Sequence, residues 1–291
     1  MPKSADITYH PHPGPRQFVL PAGACDGHCH VFGPVAQFPY ALHARFRPGD
    51  ATKETLFALH DRYGFERCVV VQSGCHGFDN SATADAVGAR SGRYVGIALL
   101  PHDVADADIL ALKAQGFRGI RFNYMAHLDP GPDPKELATL AARLVAFDWH
   151  LQIHMDSSFI EPMTPYLSSL PVPVVIDHMG RIDASLGLKQ PAFEALKALM
   201  RFDNMWVKVS CCERASRQES PYVDAVPFAR ELVASFPERV LWGTDWPHPN
   251  FRSSPPDDAD LVALLQVIAP TDDLLNKLLV DNPMRLYQFQ K

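Results

Sequence analysis

Eight short runs of mainly apolar and β-branched residues recur along the chain: 23–29 (GACDGHC), 67–72 (RCVVVQ), 94–99 (YVGIAL), 117–123 (FRGIRFN), 149–155 (WHLQIHM), 172–178 (VPVVIDH), 205–210 (MWVKVS) and 239–245 (RVLWGTD). Their length and composition predict strands. Between them lie segments with apolar residues three and four apart: TKETLFALHDRYG, NSATADAVGAR, DADILALKAQG, PKELATLAARLVAF, IEPMTPYLSSL, PAFEALKALMRF, YVDAVPFARELVASF and DADLVALLQVIA. These predict helices. Alternation of apolar strands with helices implies a parallel sheet. Eight such units in 291 residues, without a linker or repeat, predict an α/β fold of the closed (β/α)8 TIM-barrel type rather than an open sheet. The stretch LLNKLLVDNPMRLYQFQ predicts an added helix and tail. The proline-rich segment 1–22 reads as an extended arm on a single barrel domain, 23–291.

Composition narrows the class. With 47% hydrophobic and 21% charged residues the chain is ordinary for a globular protein. A net charge of −6 argues against a nucleic-acid partner. No apolar run approaches the roughly 18 residues that cross a bilayer, and the start lacks the apolar core of a secretory signal. Six cysteines without a C-x-x-C pair, two of them adjacent (Cys211, Cys212), suit a reduced, cytoplasmic protein better than a disulfide framework. The expected partner is therefore a small molecule, bound by a monomer or small homo-oligomer.

The chemistry gathers where a barrel keeps its active site, at the carboxyl ends of its strands. The first strand ends in an H-x-H pair, His28 and His30, which alternation places on one face, with Cys29 turned the other way as a small buried hydrophobe. His154 ends the fifth predicted strand, His178 the sixth and Asp245 the eighth. Four histidines and an aspartate on one rim are the nitrogen and oxygen donors of a divalent metal site. Gln72 and Ser73 follow the second strand, Arg121, Asn123, Tyr124 and His127 the fourth, Arg181 the sixth and Arg214 the seventh. Three arginines at the mouth of an acidic chain suit a small dianion, because the guanidinium fork pairs with carboxylate or sulfonate oxygens. Salt bridges to Asp177 or Glu213 are the structural alternative for Arg181 and Arg214. Asp79 and Asn80 are expected to cap the second helix.

The motifs DGHCHVFGP, VVVQSGCHGFDN, GFRGIRFN, VVIDHMGR, WGTDWPHPN and NPMRLY together resemble the amidohydrolase superfamily, in its branch of small-molecule lactonases. The resemblance spans nearly the whole chain. It implies a hydrolase that opens a small dianionic lactone with one divalent ion, Zn²⁺ by preference. His28, His30, His154 and Asp245 would be its ligands, Asp245 also the general base, and His178 the partner of the attacking water or the carbonyl oxygen. Gln72, Ser73, Tyr124 and His127 would be neutral substrate contacts. The fourth strand carries Arg121 where two-metal members often have a carbamylated lysine, so one ion is expected. Metal-free dicarboxylate lactonases of the branch carry tyrosine in place of His154, arginine in place of His127 and tyrosine in place of Phe46. These departures favour the zinc-bearing members that act on a sulfonated lactone. A lactone isomerase and a decarboxylase of the same superfamily are the rival expectations.

Overall fold

A computed structural model describes residues 7–125, 131–251 and 254–290. All eight predicted strands form: β1 (Cys25–Cys29), β2 (Arg67–Val71), β3 (Tyr94–Ala98), β4 (Phe117–Tyr124), β5 (His150–Met155), β6 (Val174–Ile176), β7 (Met205–Lys208) and β8 (Val240–Leu241). They pair in chain order and every pair is parallel. The barrel closes where β8 and the residues after it meet β1. Gly27 N donates to Trp242 O at 2.8 Å, Asp245 N to His28 O at 2.8 Å and His30 N to Trp246 O at 2.7 Å. Glycine is required at this seam. A Cβ on Gly27 would lie 2.5 Å from Trp242 O, and one on Gly243 2.3 Å from His28 N. The protein is thus an eight-stranded (β/α)8 barrel.

Local sequence explains the surrounding helices. The helix Pro134–Leu144 begins with a capping box between Asp133 and Glu136 and proline in its first turn. It buries Leu137, Leu140, Ala141 and Leu144, one face of a 3.6-residue period. The segment predicted as one helix from 258 to 269 forms two, Asp258–Ala263 and Leu265–Ile268. The barrel floor is a separate apolar cluster, in which Val69, Val71, Val95, Ile97, Val175, Trp206 and Leu241 meet Leu286, Tyr287 and Phe289 from the C-terminal segment. The described part of the arm has neither helix nor strand before Cys25. Thr8 Oγ1 donates to Pro247 O at 2.5 Å, and Tyr9 lies against Trp246. None of the described helices is long and apolar enough to cross a membrane.

Strands 6 and 8 are shorter than their sequence runs suggest, and the reason lies in the site. His178 and Asp245 fall beyond the ladders, on left-handed backbone with φ of 51° and 61°. Met179, Arg181, Cys211, His248 and Asn250 share that conformation. For non-glycine residues it costs about 1–2 kcal/mol each. Such strain persists only where surrounding packing fixes it, and here it is concentrated at one mouth of the barrel.

Candidate active site

Asp245 is the hub. Its Oδ1 lies 3.4 Å from His30 Nε2, 3.6 Å from His178 Nε2 and 3.7 Å from His28 Nε2. Its Oδ2 is gripped by Arg214, from Nε at 2.9 Å and Nη2 at 2.7 Å. All of these but the half-buried Arg214 are buried. Burial works against the Asp245 charge, but Arg214 first and then the histidines hold its carboxyl well below the usual carboxylate range. It is ionised at neutral pH, with one oxygen facing three imidazoles.

Each of the four predicted histidines has its second nitrogen engaged. His30 Nδ1 donates to Val71 O at 2.7 Å, and His154 Nδ1 meets Asn123 Oδ1 at 3.1 Å. His178 Nδ1 lies 2.9 Å from Ser210 Oγ and 3.0 Å from Cys211 Sγ. His28 Nδ1 lies 3.1 Å from Lys208 Nζ and 3.4 Å from Asp177 Oδ1. Burial, and next the Lys208 charge, pushes His28 down to about 3. Burial also holds His154 and His178 well below the ordinary histidine value, with Arg121 and His28 respectively as the next cause. These three rings are therefore neutral, the state a metal ligand needs. Among the described residues, donor atoms of His28, His178 and Asp245 all lie within 4.8 Å of one another. His30 joins them through Asp245, whereas His154 sits edge-on to His178 with ring centroids 5.7 Å apart.

The predicted substrate contacts divide. Arg121 donates from Nε to Asp177 Oδ2 at 2.8 Å, inside the barrel. Arg214 is turned to Asp245 and Pro249 O, and its Nη1 has no hydrogen bond among the described residues. Arg181 is half-buried and has no hydrogen bond or ion pair among the described residues. Burial, then the charge of Arg214, lowers its affinity for its proton, a crowding that an anion between them would relieve. Gln72 braces its loop, donating to Asp79 O at 2.7 Å and accepting from Thr83 Oγ1 at 2.7 Å. Ser73 opens the short turn Gly74–His76, and Tyr124 donates to Pro132 O at 2.8 Å. His127 lies outside the described residues. Asp79 accepts from Ser81 N at 3.0 Å at the start of the second helix, whereas Asn80 pins Leu99 after β3 instead. His248 faces Asp258 at 3.2 Å, tying the loop after β8 to the next helix.

Two supports were not assigned from sequence. Asp26 is fully buried and accepts from Thr244 Oγ1 at 2.6 Å, Thr244 N at 3.0 Å and His28 N at 3.1 Å, so it locks β1 to the Asp245 loop. Lys208 is a fully buried lysine on β7 that donates to Gln152 Oε1 at 2.8 Å. Its signal was a single charge within an otherwise apolar strand run.

Residues 25–289 match the model of the amidohydrolase family, described as "Amidohydrolase". The chain is 44% identical over 290 residues to 2-pyrone-4,6-dicarboxylate hydrolase of Comamonas testosteroni, covering 97% of this chain and 95% of that protein. It is 40% identical over 283 residues to 4-sulfomuconolactone hydrolase of Hydrogenophaga intermedia, covering 95% and 92%. Among solved structures it superposes with a TM-score of 0.81 and 26% identity on a probable 2-pyrone-4,6-dicarboxylic acid hydrolase of Acinetobacter baumannii with citric acid bound, covering 92% and 100%. The chain belongs to the amidohydrolase family. It is an enzyme of the carboxylic-ester hydrolase class.

Proposed function

We propose that the protein hydrolyses a small dianionic lactone at the Asp245 centre with the help of one divalent cation, Zn²⁺ by its donor chemistry. One observation carries this reading: the Nε2 atoms of His28, His30 and His178 converge within 3.4–3.7 Å on Asp245 Oδ1. The residues fit such an ion. His28 Nε2 is a buried nitrogen without a hydrogen-bond partner among the described residues, and neutral imidazoles with a carboxylate are a zinc donor set. His28, His30 and Asp245 would hold the cation, with His154 as the fourth donor. Asn123 Oδ1 only accepts, so His154 carries its proton on Nδ1 and keeps the Nε2 lone pair free. His178 differs, because the Ser210 hydroxyl and Cys211 thiol can both donate to its Nδ1. Its Nε2 can therefore carry the proton and donate to a carbonyl oxygen or a water.

A bound divalent ion would make water more acidic and polarise the lactone carbonyl. Asp245 accepts the proton from the attacking water and returns it to the ring oxygen as the C–O bond breaks. His178 Nε2–H steadies the negative charge that builds on the carbonyl oxygen. Arg181 and the Nη1 edge of Arg214, which has no hydrogen bond among the described residues, face the anionic substituents. Citrate bound to the Acinetobacter relative is in keeping with a mouth for polyanions.

The preferred substrate is 4-sulfomuconolactone, because His154 provides a complete nitrogen donor set and the family resemblance aligns His127 with an arginine of the dicarboxylate lactonases. Hydrolysis leaves sulfonate and hydroxyl on one carbon, which collapses to a ketone, maleylacetate, with release of sulfite. The second reading is 2-pyrone-4,6-dicarboxylate, favoured by the 44% identity to the Comamonas enzyme. Incubating purified enzyme with each lactone separates them. Sulfite release faster than ring opening of the pyrone supports the first, and pyrone opening without sulfite replaces it with the second.

A further inference from the structure

Three buried polar atoms meet in a triangle beneath the site: His28 Nδ1, Lys208 Nζ and Asp177 Oδ1, with separations of 3.1 Å from nitrogen to nitrogen and 3.4 Å from each nitrogen to the oxygen. An ammonium has three donors and no acceptor, so a hydrogen bond from Lys208 requires the lone pair of His28 on Nδ1. The proton of the neutral ring is then on Nε2, the atom that faces Asp245. Among the described residues Asp177 Oδ1 has no hydrogen-bond partner, only its two contacts at 3.4 Å, and His28 Nε2 has none. Asp177 Oδ2, by contrast, is fully used by Arg121 at 2.8 Å and Gln152 Nε2 at 3.1 Å.

We infer that Lys208 and Asp177 compete for His28 Nδ1 and thereby set which ring nitrogen is open to a cation. In the metal-free protein Lys208 holds the Nε2–H tautomer, in which His28 is no ligand. To offer Nε2, His28 must carry its proton on Nδ1, donating it to Asp177 Oδ1 while Lys208 retains Gln152. The change moves one proton from Nε2 to Nδ1, with no net uptake or release, and satisfies both orphaned atoms. His30 needs no such change. Its Nδ1 already faces a carbonyl oxygen, which can only accept. Lys208 is thus a positioning residue that opposes metal uptake, and Asp177 one that supports it. This rests on the reading of His28 as a ligand.

The test is the tautomer itself. Protein labelled with ¹⁵N-histidine is examined by long-range ¹H–¹⁵N correlation, metal-free and after addition of one equivalent of Zn²⁺, with His28 assigned by the signals lost in His28→Gln. The expected result is Nε2–H for His28 in the metal-free protein and Nδ1–H with Zn²⁺, while His30 is Nδ1–H throughout. In Lys208→Gln, whose amide oxygen can accept from Nδ1–H, His28 should be Nδ1–H without metal. Zn²⁺ affinity, read by competition with a chromophoric chelator, should then rise roughly tenfold, at the lower end of effects of groups behind a metal ligand. The two wild-type spectra decide the matter if that variant does not fold. A metal-free His28 already in the Nδ1–H form overturns the inference while leaving the metal reading intact. Failure of Zn²⁺ to perturb His28 and His30 defeats the metal reading instead, and the metal-free tautomer still reports on Lys208.

Discussion

The apolar cluster at the barrel floor, with Val71 and Ile97 from β2 and β3 and Val175 and Trp206 from β6 and β7, and the polar cluster of Arg121, Gln152, Asp177 and Lys208 on or just past β4 to β7 are built from opposite materials. The first is apolar throughout and includes Leu286, Tyr287 and Phe289. The second is a chain of charges and amides that ends on His28 Nδ1. Apolar burial contributes about 25 cal/mol per Å² whatever the side chain's orientation. A buried ion pair contributes little net stability, because desolvation offsets its attraction. The charged cluster therefore supplies what an apolar filling cannot: a fixed direction for the His28 ring. Burial holds the barrel, and the ionic cluster orients His28.

The largest effect is expected at Asp245, the hub of the site. Asp245→Asn keeps the shape of the side chain but cannot accept the water proton, so turnover should fall by about 10²–10⁴-fold with the fold intact by circular dichroism. A variant retaining more than about a tenth of the rate would leave Asp245 only a structural or ligand role.

Next in size is the cost of unbalancing the network. Asp177→Leu strands the Lys208 ammonium and the Arg121 guanidinium in the interior and should cost roughly 3–5 kcal/mol in urea unfolding. Ile97→Val in the apolar cluster should cost only about 0.5–1.5 kcal/mol and leave kcat unchanged. Equal costs would mean that the two clusters do not differ as described.

How far the sequence disclosed this arrangement follows from the same contrast. The eight strands were legible because hydrophobic alternation is a local signal, and the H-x-H pair and the WGTD loop marked the rim. The ends of β6 and β8 were not, since His178 and Asp245 adopt left-handed backbone that only tertiary packing imposes. Spacing suggests for Arg214 a substrate anion or a salt bridge to Asp177 or Glu213, but not its pairing with Asp245, 31 positions away in the chain. Lys208 and Asp177 were visible as charges in apolar runs, but their meeting at His28 depends on three strands closing together. Pairings of that kind are products of the barrel, not of any single segment.

A smaller, pH-dependent effect sharpens the comparison at the floor. His150 is buried with neither ring nitrogen hydrogen-bonded among the described residues, and burial, followed by the Lys208 charge, pushes it down to about 3. The unfolded chain takes up a proton near pH 6.5 that the folded ring refuses, so this residue destabilises the fold increasingly from about pH 6.5 down toward pH 3. His150→Leu should leave stability at pH 8 little changed and reduce the acid-side slope by up to about 1.4 kcal/mol per pH unit. Parallel stability–pH curves for the two proteins would show that folded His150 takes up its proton at the same pH as the unfolded chain.

The central claim is that His28, His30 and His154 with Asp245 are held to take one divalent ion. Elemental analysis of protein purified without added metal, alongside His28→Gln and Asp245→Asn prepared in the same way, tests it most directly. About one divalent ion per chain in the parent protein, with Zn²⁺ predominant, and its loss from both variants is the result the account predicts. A parent protein that holds no metal and keeps full lactone hydrolysis in the presence of a strong chelator would contradict it.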